Sequence, residues 1–380
     1  MNRTWVSLFD EAFNLVRLNI CCQYSEWGQL HAKYRRLAEN SQSRSDLNAI
    51  LNNMLAEFRL SHTAYYTNAD QQYYDILDTF KESDLSSQIE KLFPQRDIFY
   101  VGIGATFSVI SGERVVRSVL DGSPADQAGL SAGCCIVTAD GLPFKPIESF
   151  SNKDGRSVTL EIQYPPNNAI ASIVVIPQVI RPADAYYAAT RTSIRIFRDE
   201  RATIGYIHMW SYAGEKFHEL LLQQMSFGPF REVDALIIDL RGGIGGACEE
   251  YLDVFRTEVE VRQENLVAKV YWSKPAVLIV DETTRSGNEV LAYQFKQRQI
   301  GSLVGQKTGG QVMFGRPFLL SDGSLLYLAV KEHRINGVRL EGSGVIPDVP
   351  VDFSIAYRKR QDPFLESAIA VARTACSENQ

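Results

Sequence analysis

The chain has 380 residues, 45% hydrophobic and 22% charged, with a formal net charge of −6. This is globular composition with room for roughly two or three domains; it argues against a disordered chain and gives no reason to expect nucleic acid as a partner. No apolar run is long enough for a membrane-spanning helix. In chain order, residues 1–97 read as helical. Trp5, Leu8, Phe9, Ala12 and Val16 share one helical face, as do Leu47, Ile50, Leu51, Met54, Leu55 and Phe58 in a later helix that ends near Arg59. Ser61, His62 and Thr63 follow it. A lone histidine there reads as a surface or helix-end residue, and the same plain reading covers His31, His208, His218 and His333. Residues 70–91 read as a polar surface connection with some helix.

The character changes at residue 98. Strands are expected at 99–110 and 113–119, then at 158–164 and 171–177, with the stretch DGSPADQAGLSAGCC between them. Pro124 suits the first turn of a short helix, and Gly133 and Gly141 mark turns. The SPADQAGLSAG stretch resembles a PDZ domain, which takes an extended peptide as an added strand and holds its terminal carboxylate on backbone amides. The loop matching that role is Val101, Gly102, Ile103 and Gly104. A PDZ-like unit kept only as a scaffold is the alternative.

From 182 to 380 strand and helix alternate, which implies an α/β layer around a largely parallel sheet. Strands are expected at 202–209, 233–240, 276–280, 302–304 and 325–330, and helices at 215–225, 287–296 and 364–375. Two loops follow apolar strands. One is DLRGGIGG, residues 239–246, whose glycines admit close backbone approach. It fits no phosphate-binding fingerprint well; the other reading is an oxyanion-binding loop at the C-terminal edge of the sheet, where open α/β sheets place their sites. The second loop puts Ser286 at the start of a helix, facing unpaired N–H groups and the positive end of the helix dipole, a setting that suits a nucleophile. Ser286 and Glu289 equally spell S-x-x-E, an ordinary capping box. Glu341 opens the glycine-rich stretch EGSGVIPDV, which alone reads as a solvated loop.

The six cysteines include the neighbouring pairs Cys21/Cys22 and Cys134/Cys135, and no C-x-x-C spacing occurs. Neither a disulfide framework nor a metal site is expected; the thiols read as reduced and mostly buried. The first residues lack the apolar core of a signal peptide, so a cytoplasmic location is the default, although a periplasmic or secreted chain with its signal removed would read the same.

Taken together, SPADQAGLSAG, DLRGGIGG, TRSGNEV, VGQKTGG and LEGSGVIPDV, in that order, resemble the C-terminal-processing (tail-specific) serine peptidases. The helical opening that ends in LSHT resembles the branch containing the core of the tricorn protease. The resemblance implies a multidomain α/β (α+β) fold: a helical region at 1–97, a PDZ-like β domain at 98–181 and a ClpP/crotonase-like catalytic core at 182–380. It implies Ser286 as nucleophile, His62 as general base, Ser61 as the hydroxyl orienting that histidine, Glu341 as the carboxylate, and Gly246 and Gly287 as oxyanion-hole amides. The family's other branch uses a lysine, but position 311, where that lysine would fall, is Gln, and Lys307 lies off the pattern. Gly243 replaces an Asn common in the family. The implied function is a serine endopeptidase acting on extended or unfolded polypeptide through an acyl-enzyme, with no metal or organic cofactor and with the PDZ-like unit presenting or gating substrate. The alternative is a non-catalytic peptide- or apolar-ligand-binding relative of the same fold. Oligomeric state is not legible.

Overall fold

A computed structural model describes residues 2–110, 113–164, 167–352 and 362–378. The chain folds as two compact units. Met1–Tyr100 with Gln311–Gly342 form one, and Val101–Gly310 with Ser343–Gln380 form the other.

In the first unit, helices Asn2–Asn19, Trp27–Glu39 and Arg44–Ala56 bury their apolar stripes together. Phe9, Ala12, Val16, Leu47, Leu51 and Met54 are all fully buried in that core, as the 3.6-residue spacing requires. Ser43 caps the third helix through a complete capping box with Asp46. That helix stops at Ala56, short of the expected end, because the next residues turn into a strand. Ala64–Tyr66 pairs antiparallel with Leu325–Lys331, which pairs with Phe314–Leu319. Two expectations change here. The strand expected at 325–330 belongs to this small antiparallel sheet and not to the parallel one, and its Leu326 and Leu328 side chains complete the helical core. Residues 70–91 are two helices, Gln71–Thr79 and Ser86–Leu92, that bury Tyr73, Tyr74, Leu77 and Ile89. Tyrosine bodies supply apolar area that a polarity count overlooks.

Among the described residues the second unit has two larger sheets beside the hairpin of Val259–Gln263 and Leu266–Val270. One is antiparallel, in the order Ala105–Ile110, Glu113–Val119, Cys135–Ala139, Val158–Tyr164, Asn167–Val175, around a core that includes Val116, Ile136, Phe150 and Leu160. Its short helix Pro124–Gln127 starts at Pro124 and is capped by Ser123, as expected. The other sheet runs Arg195–Arg198, Thr203–His208, Ala235–Asp239, Ala276–Val280, Ser302–Gly305, Val349–Pro350; the first pair is antiparallel and the rest are parallel. Every residue of Ala235–Asp239 and of Ala276–Val280 is buried, as inner strands of a parallel sheet must be. Helix Pro363–Glu378 lays Phe364, Ala368, Ala372 and Cys376 on this sheet, a stripe at four-residue spacing whose small members allow close approach. None of the six cysteines is bridged to another; Cys134, Cys135 and Cys376 are buried, Cys21 and Cys22 half-buried and Cys248 exposed, so burial is less general than expected. Among the described residues no helix is long and apolar enough to cross a membrane.

Candidate active site

Ala235–Asp239 and Ala276–Val280 are parallel neighbours, so their C-terminal ends share one sheet edge. The glycine loop, 242–246, and the serine turn, 281–286, both leave from that edge. Hydroxyls tie them together. The Gly242 N–H donates to Thr283 Oγ1 at 2.6 Å, and Thr283 in turn donates to Asp281. Thr284 Oγ1 accepts from Asp281 N–H at 3.1 Å and donates to the Leu240 carbonyl at 3.3 Å.

Ser286 stands at the N-cap of helix Gly287–Gln297 with φ 57° and ψ −134°. That is a costly backbone conformation for a residue with a Cβ, worth roughly 1–3 kcal/mol of strain, and such outliers cluster at functional sites. The capping-box reading does not hold. Ser286 makes no side-chain cap hydrogen bond. Glu289 is fully buried and accepts instead from Thr308 Oγ1 at 2.5 Å and from the Gly310 N–H at 2.7 Å. The φ and ψ of Ser286 lie outside the extended geometry from which an N-cap side chain reaches the helix N–H groups.

The glycine loop lies hard against this turn. A Cβ at Gly245 would be 2.6 Å from Ser286 Cβ, and a Cβ at Gly287 would be 2.8 Å from the Gly246 nitrogen. The structure thus brings Gly246 and Gly287 together beside Ser286. Among the described residues neither amide donates to a backbone carbonyl. Two such N–H groups beside a serine at a helix N-terminus are suited to stabilise negative charge on an oxygen.

At its root the loop is anchored by Asp239, which is fully buried, and Arg241. Burial alone would push the Asp239 carboxyl up, but the Arg241 guanidinium holds it well below the usual carboxylate range. Arg241 Nε donates to both Asp239 oxygens, at 2.9 and 3.0 Å, and its terminal nitrogens donate to both Asp362 oxygens, at 2.9 and 2.7 Å. The Tyr206 hydroxyl donates to Asp239 at 3.0 Å, and His208 Nε2 lies 2.7 Å from the Arg241 carbonyl. Beside this network is a cavity of about 350 Å³, lined by Arg117, Asp121, Trp210, Gly242 and Thr283 among others.

The first unit holds Ser61, His62 and Glu341. Ser61 Oγ donates to Glu341 Oε2 at 2.9 Å and lies 2.9 Å from His62 Nδ1. The hydroxyl hydrogen points at the carboxylate, so an oxygen lone pair faces His62, an arrangement that fits a proton on Nδ1. Glu341 is buried, not solvated as its sequence context implied. Its carboxylate also accepts from the Ser61 and Val312 N–H groups, at 2.8 and 2.9 Å. His62 has φ 53°, and its ring lies 5.6 Å from that of Tyr327. The strand Ala64–Tyr66 fixes this geometry from the residue after Thr63.

Of the loop 101–104, Gly102, Ile103 and Gly104 are buried and Val101 is half-buried. The Ile103 and Gly104 carbonyls accept from the Ala125 and Leu120 N–H groups, at 2.9 Å each. Lys307 is exposed. Among the described residues no cluster of His, Cys, Asp and Glu is arranged to hold a metal ion. The other histidines have ordinary roles: His31 lies 2.9 Å from Asp10, and His218 stacks on Tyr251 at 4.1 Å. Sequence reasoning missed the anchoring by Asp239 and Arg241, although an acid and an arginine at the end of a buried strand are a visible signal.

Comparison with known proteins agrees with this architecture. Residues 203–351 match the model described as Peptidase family S41. The tricorn protease of Thermoplasma volcanium is 25% identical over 96% of this chain and 36% of its own length. The carboxy-terminal processing protease CtpB of Bacillus subtilis is 25% identical over 67% of this chain and 56% of its own. The chain therefore spans only about a third of the tricorn protease it matches. Two solved structures share the fold: the photosystem II D1 C-terminal processing protease, with TM-score 0.54, 19% identity and 99% and 98% of the two chains covered, and the tricorn protease, with TM-score 0.55, 18% identity and 99% and 37% covered. Over residues 203–351 the chain is thus similar to the family S41 peptidases, and over most of its length to tricorn and carboxyl-terminal-processing proteases.

Proposed function

We propose that the chain is a serine peptidase that hydrolyses extended polypeptide through an acyl-enzyme. The observation that carries this reading is the Ser61–His62–Glu341 relay, because it gives a histidine the tautomer and partner a general base needs. A serine hydroxyl is a poor nucleophile near neutral pH. His62 Nε2 takes the Ser286 proton as Oγ attacks the scissile carbonyl. The Gly246 and Gly287 amides receive the oxyanion, each worth roughly 3–4 kcal/mol in the transition state. His62 then hands the proton to the leaving amine, the acyl-enzyme remains on Ser286, and water releases it by the same steps. Glu341, through Ser61, stabilises the imidazolium while it exists. The antiparallel sheet built from residues 105–175 serves as a PDZ-like unit that presents or gates the chain through Val101–Gly104, and the parallel sheet is a ClpP/crotonase-like core.

Intact-mass analysis after a fluorophosphonate probe tests this reading. One adduct is expected on the wild type and on Lys307→Ala, and none on Ser286→Ala or, on the same timescale, His62→Ala. Labelling that needs Lys307 and not His62 would replace the base; no adduct on folded wild type would leave the binding-module reading.

A further inference from the structure

Asn288 is an anomaly beside the candidate site. It is fully buried, yet both its Oδ1 and its Nδ2 lack a hydrogen-bond partner. Leaving a buried polar atom unsatisfied is costly, and a native chain that keeps one needs a reason. The surroundings supply one. A Cβ on Gly243 would lie 3.1 Å from Asn288 Nδ2 and 2.8 Å from the Met209 carbonyl oxygen. The bare Gly243 therefore leaves open the space that both groups border. Among the described residues no backbone N–H donates to that Met209 carbonyl. A buried donor and an unengaged acceptor thus border one glycine of the loop that carries Gly246.

We propose that Asn288 is a positioning residue for the reaction, a proposal that rests on the peptidase reading above. As negative charge grows on the oxygen held by Gly246 and Gly287, the Asn288 side chain shifts within the space that Gly243 leaves open, and its Nδ2–H donates to the Met209 carbonyl, holding the first turn of the serine-bearing helix against the strand end beside the glycine loop. The hydrogen bond exists in the charged state and not in the resting one, so its free energy lowers the barrier instead of stabilising the resting fold. One such neutral bond is worth about tenfold in rate.

The test replaces Asn288 by leucine, which has nearly the same shape and no polar atoms. Ser286 labelling by the fluorophosphonate and the melting temperature are measured together. The expected result is a labelling rate at least about tenfold lower with a melting temperature equal to or above wild type, because two unsatisfied atoms are gone. A purely structural Asn288 would lower both. A smaller loss of rate, or a loss that accompanies a lower melting temperature, overturns the proposal while wild-type labelling keeps the peptidase reading intact. If Asn288→Leu does not fold, Asn288→Ser decides on kinetics: peptide hydrolysis with kcat lowered about tenfold and KM unchanged supports the role, and unchanged kcat overturns it. Absence of labelling in folded wild type overturns both readings.

Discussion

Acid should weaken this protein through His218, and the size of the effect follows from its surroundings. Its Nδ1 is sealed from solvent without a partner, and its ring lies flat on Tyr251 with 9° between the planes. Burial lowers its pKa from 6.5 to about 4. The folded chain therefore resists a proton that the unfolded chain accepts near 6.5. The sign is fixed by that order. Stability is complete above pH 6.5, declines as the pH falls, and stops declining below about 4, at about 1.4 kcal/mol per pH unit in between. At pH 4.5 the loss is about 2.5 kcal/mol. Phenylalanine at this position keeps the stacking and cannot titrate. Urea unfolding of wild type and His218→Phe at pH 7 and pH 4.5 isolates the effect, because other titrating groups cancel in the double difference. The variant should gain about 2–3 kcal/mol relative to wild type on acidification. A relative stability that stays constant within about 0.5 kcal/mol would refute burial of a neutral imidazole as the cause. Tyr251 in turn lies 5.3 Å from Tyr212, whose N–H is shared between the Ile244 and Gly245 carbonyls of the glycine loop.

Two further outcomes bear on the catalytic assignment. Ser286→Gly should abolish labelling while raising stability by about 1 kcal/mol in denaturant unfolding, since glycine adopts φ 57° without strain; a destabilised variant would mean the serine side chain holds the turn. Ser61→Ala should lower kcat by about 10²-fold, within the usual range for general-base assistance, because His62 loses the acceptor that sets its tautomer. Its pH–rate profile should change as well, and a variant with wild-type kcat and profile would remove Ser61 from the relay.

Periodic features were legible in the sequence and local exceptions were not. Residues 276–280 announced an inner strand because five consecutive apolar residues leave no solvent face. The first helices were visible for the same reason, as an unbroken 3.6-residue stripe. Ala64–Tyr66 is too short to show any alternation, and its strand character comes from a partner more than 250 residues away. The segment 325–330 shows the complementary error: its pattern gave the element correctly but not the sheet that receives it. At the site, spacing alone left Ser286 balanced between a cap and a nucleophile. The balance is broken by Thr308 and Gly310, which claim Glu289 and are invisible in an S-x-x-E pattern. Glu341 looked solvated because its neighbours are glycines; the donors that bury it are Ser61 and Val312.

The excursion of residues 311–342 also sets a timetable for synthesis. The helices of the first hundred residues leave the ribosome early, but the strands that finish their core are made last. At about 5–20 residues per second, the interval between residue 100 and residue 311 is roughly 10–40 s. During it the apolar faces of Leu47, Leu51 and Met54 lack Leu326 and Leu328 as neighbours. The delay also keeps Ser61 from Glu341, so the histidine relay is assembled only after the serine turn and its helix have been made. A nascent chain interrupted before residue 311 would carry Ser61 and His62 without the Glu341 carboxylate. Because Ser61 waits for Glu341, the hydrogen bonds around His62 are a late product of synthesis, laid down on helices already made.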